Sequence, residues 1–312
     1  MKPYHFIFPI LVFLGGCSFG PSSSVIKMAY AAGFSSSEVV MSQYFFSLLY
    51  LGILAAGLFL FRRRKGGRVV LPKTFGWKNL AGLIFTGVSI ALVSTTYMFS
   101  LQTVPAYISV ILLFQFTWMG VILEAVVTRK LPDRHTVISV VILVAGTLLA
   151  AGAGGNVFEV LTVPGVIFGL LSALFYAIYI FLLGRVDVGM HPLNRSFFII
   201  MFALLILVGI FSPAYFTSGV FEAGIWKYGL ILGSFGCAVP ALLFAIGAPR
   251  ISTGAASILS SSELPASIIC AVLILSEAVS WLQWAGVVLL FFGIAYPYLM
   301  QRRKGMDRQI NI

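Results

Sequence analysis

This 312-residue chain has only nine acidic side chains and three histidines. One of them, Glu263, sits where a charge is hardest to keep. It comes ten residues into an apolar run that begins near Thr253. At 1.5 Å per helical residue it lies about 15 Å deep, the middle of a hydrocarbon core roughly 30 Å thick. A carboxyl at that depth is costly and faces a cavity or a partner. Ala256, Ser260, Glu263 and Ser267 recur at spacings of four, three and four, so they share one helix face. Small and polar residues there suit close helix packing or a wet pocket. Two readings stand. Glu263 binds a cationic substrate group or carries a proton, which makes protons the candidate coupling ion; or it stays protonated and hydrogen-bonds a neighbouring helix. Lys27 is the one basic residue that falls within a span, so a cationic partner is scarce.

The other candidates are polar, aromatic or proline. Pro265, Pro240 and Pro21 each fall inside an apolar run, where proline frees a backbone carbonyl and bends the axis. They act as gating points or as fixed kinks. Gln115, also near mid-span, hydrogen-bonds substrate or bridges two helices. Trp118, Tyr97, Tyr176 and Tyr179 supply ring faces, and Gln43, Tyr44 and Ser260 are further candidates for the same cavity. Rings beside an acid suit a cationic or amphipathic guest; each is also ordinary core. Glu124, near the end of its run, and Glu277, in a loop, read as structural or solvated.

Catalysis needs convergent acids, bases or nucleophiles. His5, His135 and His191 lie near run ends without a metal-ligand partner at helical spacing, and there is neither an HExxH motif nor a P-loop. Cys17, Cys237 and Cys270 lie inside runs with no metal spacing and read as buried thiols, with no disulfide expected. The expectation is no enzyme, no metal and no cofactor. Without a nucleotide site, gradients or exchange are the fitting source of energy.

The elements that must position these residues follow from composition. Sixty percent of the chain is hydrophobic and 9% charged, against roughly 45–50% and 25% in soluble domains. Ten apolar stretches run 6–28, 39–61, 79–99, 105–127, 136–153, 163–184, 196–215, 228–248, 253–275 and 281–300. Too long and too uniformly apolar for barrel strands, they predict an all-α integral membrane protein of ten transmembrane helices. The net charge of +11 does not indicate nucleic acid, because the basic residues occupy the loops. With the N-terminus inside, 18 of the 20 Lys and Arg fall inside: Lys2, Arg62, Arg63, Arg64, Lys65, Arg68, Lys73, Lys78, Arg129, Lys130, Arg134, Arg185, Arg195, Arg250, Arg302, Arg303, Lys304 and Arg308. Lys27 and Lys227 fall outside. The positive-inside rule therefore predicts a cytoplasmic-membrane protein with both termini cytoplasmic. Leu14-Gly15-Gly16-Cys17 has the form of a lipoprotein cleavage site, but the apolar pattern continues to Tyr30 and is read as an uncleaved first helix.

Ten helices divide as five and five, and an odd number per half inverts the second half. The expected domains are residues 1–153 and 154–312. Sliding 100–130 onto 248–278 keeps the apolar register and sets Gln115 on Glu263 and Arg129 on Glu277.

Local patterns resemble the drug/metabolite transporter superfamily, specifically its EamA-type members. Phe19-Gly20-Pro21-Ser22-Ser23-Ser24-Val25-Ile26-Lys27 resembles the family's aromatic-Gly-Ser segment ending in lysine. Ser262-Glu263-Leu264-Pro265, then Leu273-Ile274-Leu275-Ser276-Glu277, Gln283, Gly286 and Gly293, resemble its second-half signature. The chain departs from the pattern at Gln43, where the family often has arginine. The resemblance implies two inverted five-helix repeats, alternating access and a substrate cavity between the repeats near mid-membrane. The expected function is secondary transport, by export or exchange, of a small polar or amphipathic metabolite: amino-acid-like, cationic or drug-like. A non-transporting membrane receptor or assembly protein is the alternative, and the sequence leaves the oligomeric state open.

Overall fold

The computed structural model describes residues 7–64, 76–152 and 161–310, whose regular structure is helical, with no strand among them. Lys2, His5, Lys65, Arg68, Lys73 and the expected boundary at 153/154 lie outside the described residues. The helices are α1 (Ile7–Ser18), α2 (Gly20–Ala31), α3 (Ser36–Arg64), α4 (Trp77–Thr103), α5 (Ala106–Leu113), α6 (Phe116–Thr128) and α7 (Arg134–Ala150), then α8 (Val163–Leu183), α9 (Pro192–Phe211), α10 (Trp226–Gly233), α11 (Val239–Gly247), α12 (Thr253–Ser260), α13 (Glu263–Leu275) and α14 (Trp281–Ile310). A π-helical turn, Ser234–Ala238, joins α10 to α11.

Joined end to end, these segments give nine stretches long and apolar enough to cross a membrane among the described residues, and the chain is a multi-pass membrane protein. The fifth expected run is the shorter helix Arg134–Ala150, of 17 residues; with it counted, Thr253–Leu275 is the ninth span. The first span continues through Cys17 to Ala31, as the apolar pattern predicts.

Four spans are interrupted near their middles, one by the π-helical turn and three by a 3₁₀ tightening. In those three, backbone bonds run i to i−3: Phe19 N to Gly16 O, Gln115 N to Leu112 O, and Ser262 N to Leu259 O. Such a turn strands carbonyls in a region without water, so side chains must take them up. Ser18 Oγ donates to Gly15 O at 2.7 Å, Gln115 Nε2 to Ile111 O at 2.8 Å, Thr117 Oγ1 to Phe114 O at 3.0 Å and Ser260 Oγ to Ser257 O at 3.0 Å.

The prolines follow the same logic. Pro21, Pro240 and Pro265 are the second or third residues of α2, α11 and α13, each just past an interruption. A residue in the first turn of a helix has no use for its N–H, so proline fits there. They restart helices rather than bend continuous ones.

Two of these interruptions have one construction. In α5–α6 and again in α12–α13, eight helical residues, a two-residue turn and thirteen helical residues follow in order. The turn residues have nearly equal dihedrals: φ −67°, ψ −5° at Phe114 and φ −62°, ψ −14° at Gln115, against −65°, −6° at Ser261 and −59°, −14° at Ser262. Both thirteen-residue helices end on a left-handed residue, Arg129 and Ser276, each at φ 54°. The matching offset carries Phe116 to Glu263, one residue away from the gapless register of 100–130 on 248–278. Gln115 therefore corresponds to Ser262, and Arg129 to Ser276. Hydropathy alone cannot distinguish registers one residue apart within an unbroken apolar run.

Packing brings the interrupted spans together. α1 lies against α11 and α12, α2 against α13, α6 against α8 and α12, and α4 between α8 and α9; α3 meets α9 and α10, and α7 runs along α14. The first and ninth spans approach closely at glycines. A Cβ on Gly16 would lie 2.2 Å from Ser262 Oγ, and one on Gly20 would lie 2.9 Å from Ala266 O. Gly286 of α14 comes as near to α7, its added Cβ meeting Ala150 N at 2.3 Å, whereas Gly57 of α3 has open space around it. Gly286→Val is therefore expected to cost about 1–3 kcal/mol through overpacking. Thermal unfolding in detergent checks this, with Gly57→Val expected to unfold like the parent.

Candidate functional site

The ends of the bundle are told apart by their contacts. At one, called here the basic end, lie Arg129, Lys130, Arg134, Arg185 and Arg250, tied by Arg185 Nη1 donating to Thr253 Oγ1 at 2.7 Å and by the Arg250 guanidinium over the Phe8 ring at 5.3 Å. At the opposite end, Lys27 Nζ meets Glu277 Oε1 at 2.8 Å, with side chains 56% and 41% exposed. An ion pair so exposed contributes about 0–1 kcal/mol. It ties the far end of α2 to the turn after α13.

Glu263 opens α13 directly after the Ser261–Ser262 turn, and that turn is fixed by the first span: Ser262 Oγ donates to Phe13 O at 2.8 Å. Two tyrosine hydroxyls lie near its carboxyl, Tyr97 of α4 and Tyr176 of α8. The Tyr176 hydroxyl lies beside the carboxyl but is short of a well-formed hydrogen bond. Its ring is held edge-on by Phe116 at 4.6 Å and stacked on Tyr179 at 6.2 Å and 11°. Next to this group Tyr44 Oη bonds Ser94 Oγ at 2.9 Å and Ile90 O at 3.2 Å, joining α3 to α4. Cys237, buried in the π-helical turn, packs in the same apolar cluster as Tyr44. Among the described residues Glu263 has no basic partner within ion-pair distance; the ion pair found is Lys27–Glu277.

Glu263, Tyr97, Tyr176 and Tyr179 thus converge, from the ninth, third and sixth spans. The remaining candidates stand elsewhere. Gln115 and Trp118 bond to each other, indole Nε1 to Oε1 at 2.8 Å, and Gln115 uses its amide on its own helix. Gln115 shares its column with Ile122 and Val126, exposed by 52% and 68%. Ser260 spends its hydroxyl on Ser257 O and faces an apolar seam on the basic-end side of the turn. Gln43 Nε2 donates to Gly236 O at 2.7 Å, filling a carbonyl of the π-helical turn.

Three features were not evident in the sequence. Phe116 wedges against Tyr176, where an apolar residue in an apolar run carries no signal. Arg195, a basic-loop residue by position, is 1% exposed: Nη1 donates to Val186 O at 3.1 Å and Nη2 to Ala245 O, pinning the turn after α8 to α11. Glu124 accepts from the Gly254 N–H at 2.7 Å and so caps α12 from α6. The cysteines are free thiols, and no group of three His, Cys, Asp or Glu that could hold a metal occurs among the described residues.

Residues 163–298 match the EamA-like transporter family, so the second half of the chain carries an EamA-type domain of the drug/metabolite transporter superfamily. A search of the curated proteins found no match. Among the solved structures, a crystal structure of another protein is similar over 97% of this chain and 99% of its own, with a TM-score of 0.73 and 18% identity. At that identity the likeness speaks to fold alone.

Gln43→Leu would leave the Gly236 carbonyl unpaired in an apolar surrounding. The expected cost is about 1–3 kcal/mol, seen as a lower unfolding midpoint in detergent.

Proposed function

We propose that this chain, an EamA-type protein of the drug/metabolite transporter superfamily by its second half, is a secondary carrier that moves a small cationic or zwitterionic metabolite by alternating access. The observation that carries the reading is Glu263: a carboxyl at an interrupted mid-span helix, without a basic partner among the described residues, facing Tyr97 and Tyr176. In this reading the carboxyl takes an amine of the guest or a proton, and the ring faces favour a cationic or amphipathic guest. Gln115, Trp118, Gln43 and Ser260 serve in it as supports of helix geometry rather than as contacts to the guest.

The proposed architecture is ten spans in two inverted five-helix repeats, with α7 counted as the short fifth. Two features support it. The interruptions of α5–α6 and α12–α13 share lengths and dihedrals. The main packing contacts are also preserved when each span is exchanged with the one five places on. Third with sixth becomes eighth with first, and fourth with sixth becomes ninth with first; second with seventh, fourth with ninth and fifth with tenth map onto themselves. The proposed location is the cytoplasmic membrane with the basic end and both termini inside, on the positive-inside argument. In the proposed cycle Pro21, Pro240 and Pro265 mark the places where helix halves pivot.

Two measurements test this. In proteoliposomes, a panel of amines and amino acids should include one whose flux follows a pH or substrate gradient, and Glu263→Gln should lower that flux at least about tenfold, the loss of about 1.4 kcal/mol of differential binding. Flux unaltered in Glu263→Gln would remove the carboxyl from the mechanism, and silence across the panel would favour a receptor or assembly role. For orientation, an engineered cysteine at Gly189, between Arg185 and Arg195, should react with an impermeant maleimide in inside-out vesicles and not in intact cells.

A further inference from the structure

α12 is an eight-residue rod with a joint at each end: extended backbone at Ile251 and Ser252 before it and the 3₁₀ turn Ser261–Ser262 after it. Its free end is held from two directions. The Glu124 carboxylate of α6 accepts from the Gly254 N–H at 2.7 Å, and Arg185, just past α8, donates to Thr253 Oγ1 at 2.7 Å. Arg185 is steadied in turn by the Phe181 ring, 3.9 Å from its guanidinium carbon. A carboxylate on the first N–H groups of a helix is a charge-assisted bond aligned with the helix dipole. Directly behind the rod, Val12, Ile180, Leu183, Phe244, Ala256 and Ser260 close on a seam with no room for a water molecule. At the opposite end of the bundle, by contrast, Ser35, Ser36, Met98, Phe99, Gln102 and Phe211 border a space of about 520 Å³ that water can enter.

We infer that α12 is the gate of the basic end and that Glu124 and Arg185 are its latch. The protein stands closed at that end, and opening it swings α12 about the Ser261–Ser262 turn. That motion breaks the bonds to Gly254 and Thr253 and uncovers the seam below Glu263. Because Glu263 is the next residue after the pivot, movement of the rod is coupled to the site. The inference rests on the carrier reading for its purpose, but its geometry can be tested without transport.

The test places a thiol in the seam, Ala256→Cys, and follows its reaction with an impermeant maleimide applied to the basic end, with the protein lacking that reporter as the background for Cys17, Cys237 and Cys270. With the latch intact the reporter should react slowly. Glu124→Ala and, separately, Thr253→Val should speed the reaction about fivefold or more, the population shift that one lost hydrogen bond permits. Glu124→Gln should react at a rate between the parent and Glu124→Ala, since its amide oxygen still accepts from Gly254 but without the charge. Should Glu124→Ala not fold, Thr253→Val carries the same comparison. Unchanged rates in folded latch variants overturn the inference, as does a Glu124→Gln reporter as fast as that of Glu124→Ala. Failure of the carrier reading looks different: the reporter opens on schedule while no metabolite moves.

Discussion

The lipid core holds no water, so every backbone carbonyl freed within it must find a partner in the protein or line a water-filled cavity. Much of this molecule's construction follows from that constraint. Interrupting a helix at mid-span gives a side chain such as Glu263 a position and a direction that a continuous helix would deny it, but strands carbonyls. The neighbouring Ser18, Gln115, Thr117, Ser260 and Gln43 each meet such a carbonyl, on their own helix or across to Gly236. These polar residues, spread along apolar runs, complete the backbone at the breaks.

The same constraint explains which candidates gather at the site. A side chain whose polar atoms are taken up by the local backbone is poorly placed to meet a guest. Gln115, Gln43 and Ser260 are taken up in this way. Tyr176 is not: its hydroxyl is buried, close to Glu263 and without a well-formed bond. Phe116 and Tyr179 hold its ring from two sides, so the hydroxyl's position is set by packing. The result is one carboxyl among aromatic rings, in an environment where an added positive charge is more welcome than an added negative one.

Among the described residues, several charges near the ends of the bundle join elements. Arg195 is buried yet satisfied largely by backbone carbonyls of the turn after α8 and of α11. Glu124 finds a helix N-terminus instead of a cation. The exposed Lys27–Glu277 pair at the opposite end is screened by water and holds far less firmly than a partly buried carboxylate on backbone N–H groups. The two ends of the ninth span are thus held by bonds of unequal strength.

Much of this was legible in the chain itself. Composition and run length required membrane helices, because no soluble surface can be built from 9% charged residues. Depth along the run singled out Glu263, and proline positions marked Pro21, Pro240 and Pro265 as places where helices do not run straight. These are properties of one helix at a time, set by a 1.5 Å rise and the thickness of a bilayer. Tertiary structure alone decided which faces meet. It placed Tyr97 and Tyr176 near Glu263 while Gln115 turns to the same side as Ile122 and Val126, chose between two registers of the breaks that hydropathy allows equally, and made Arg195 a buried joint rather than a loop charge and Glu124 the cap of α12. Rotation about a helix axis and contact between distant spans leave no mark on an apolar run in which every face is greasy enough for lipid; close approach at Gly16, Gly20 and Gly286 and the pairing of carbonyls fix them.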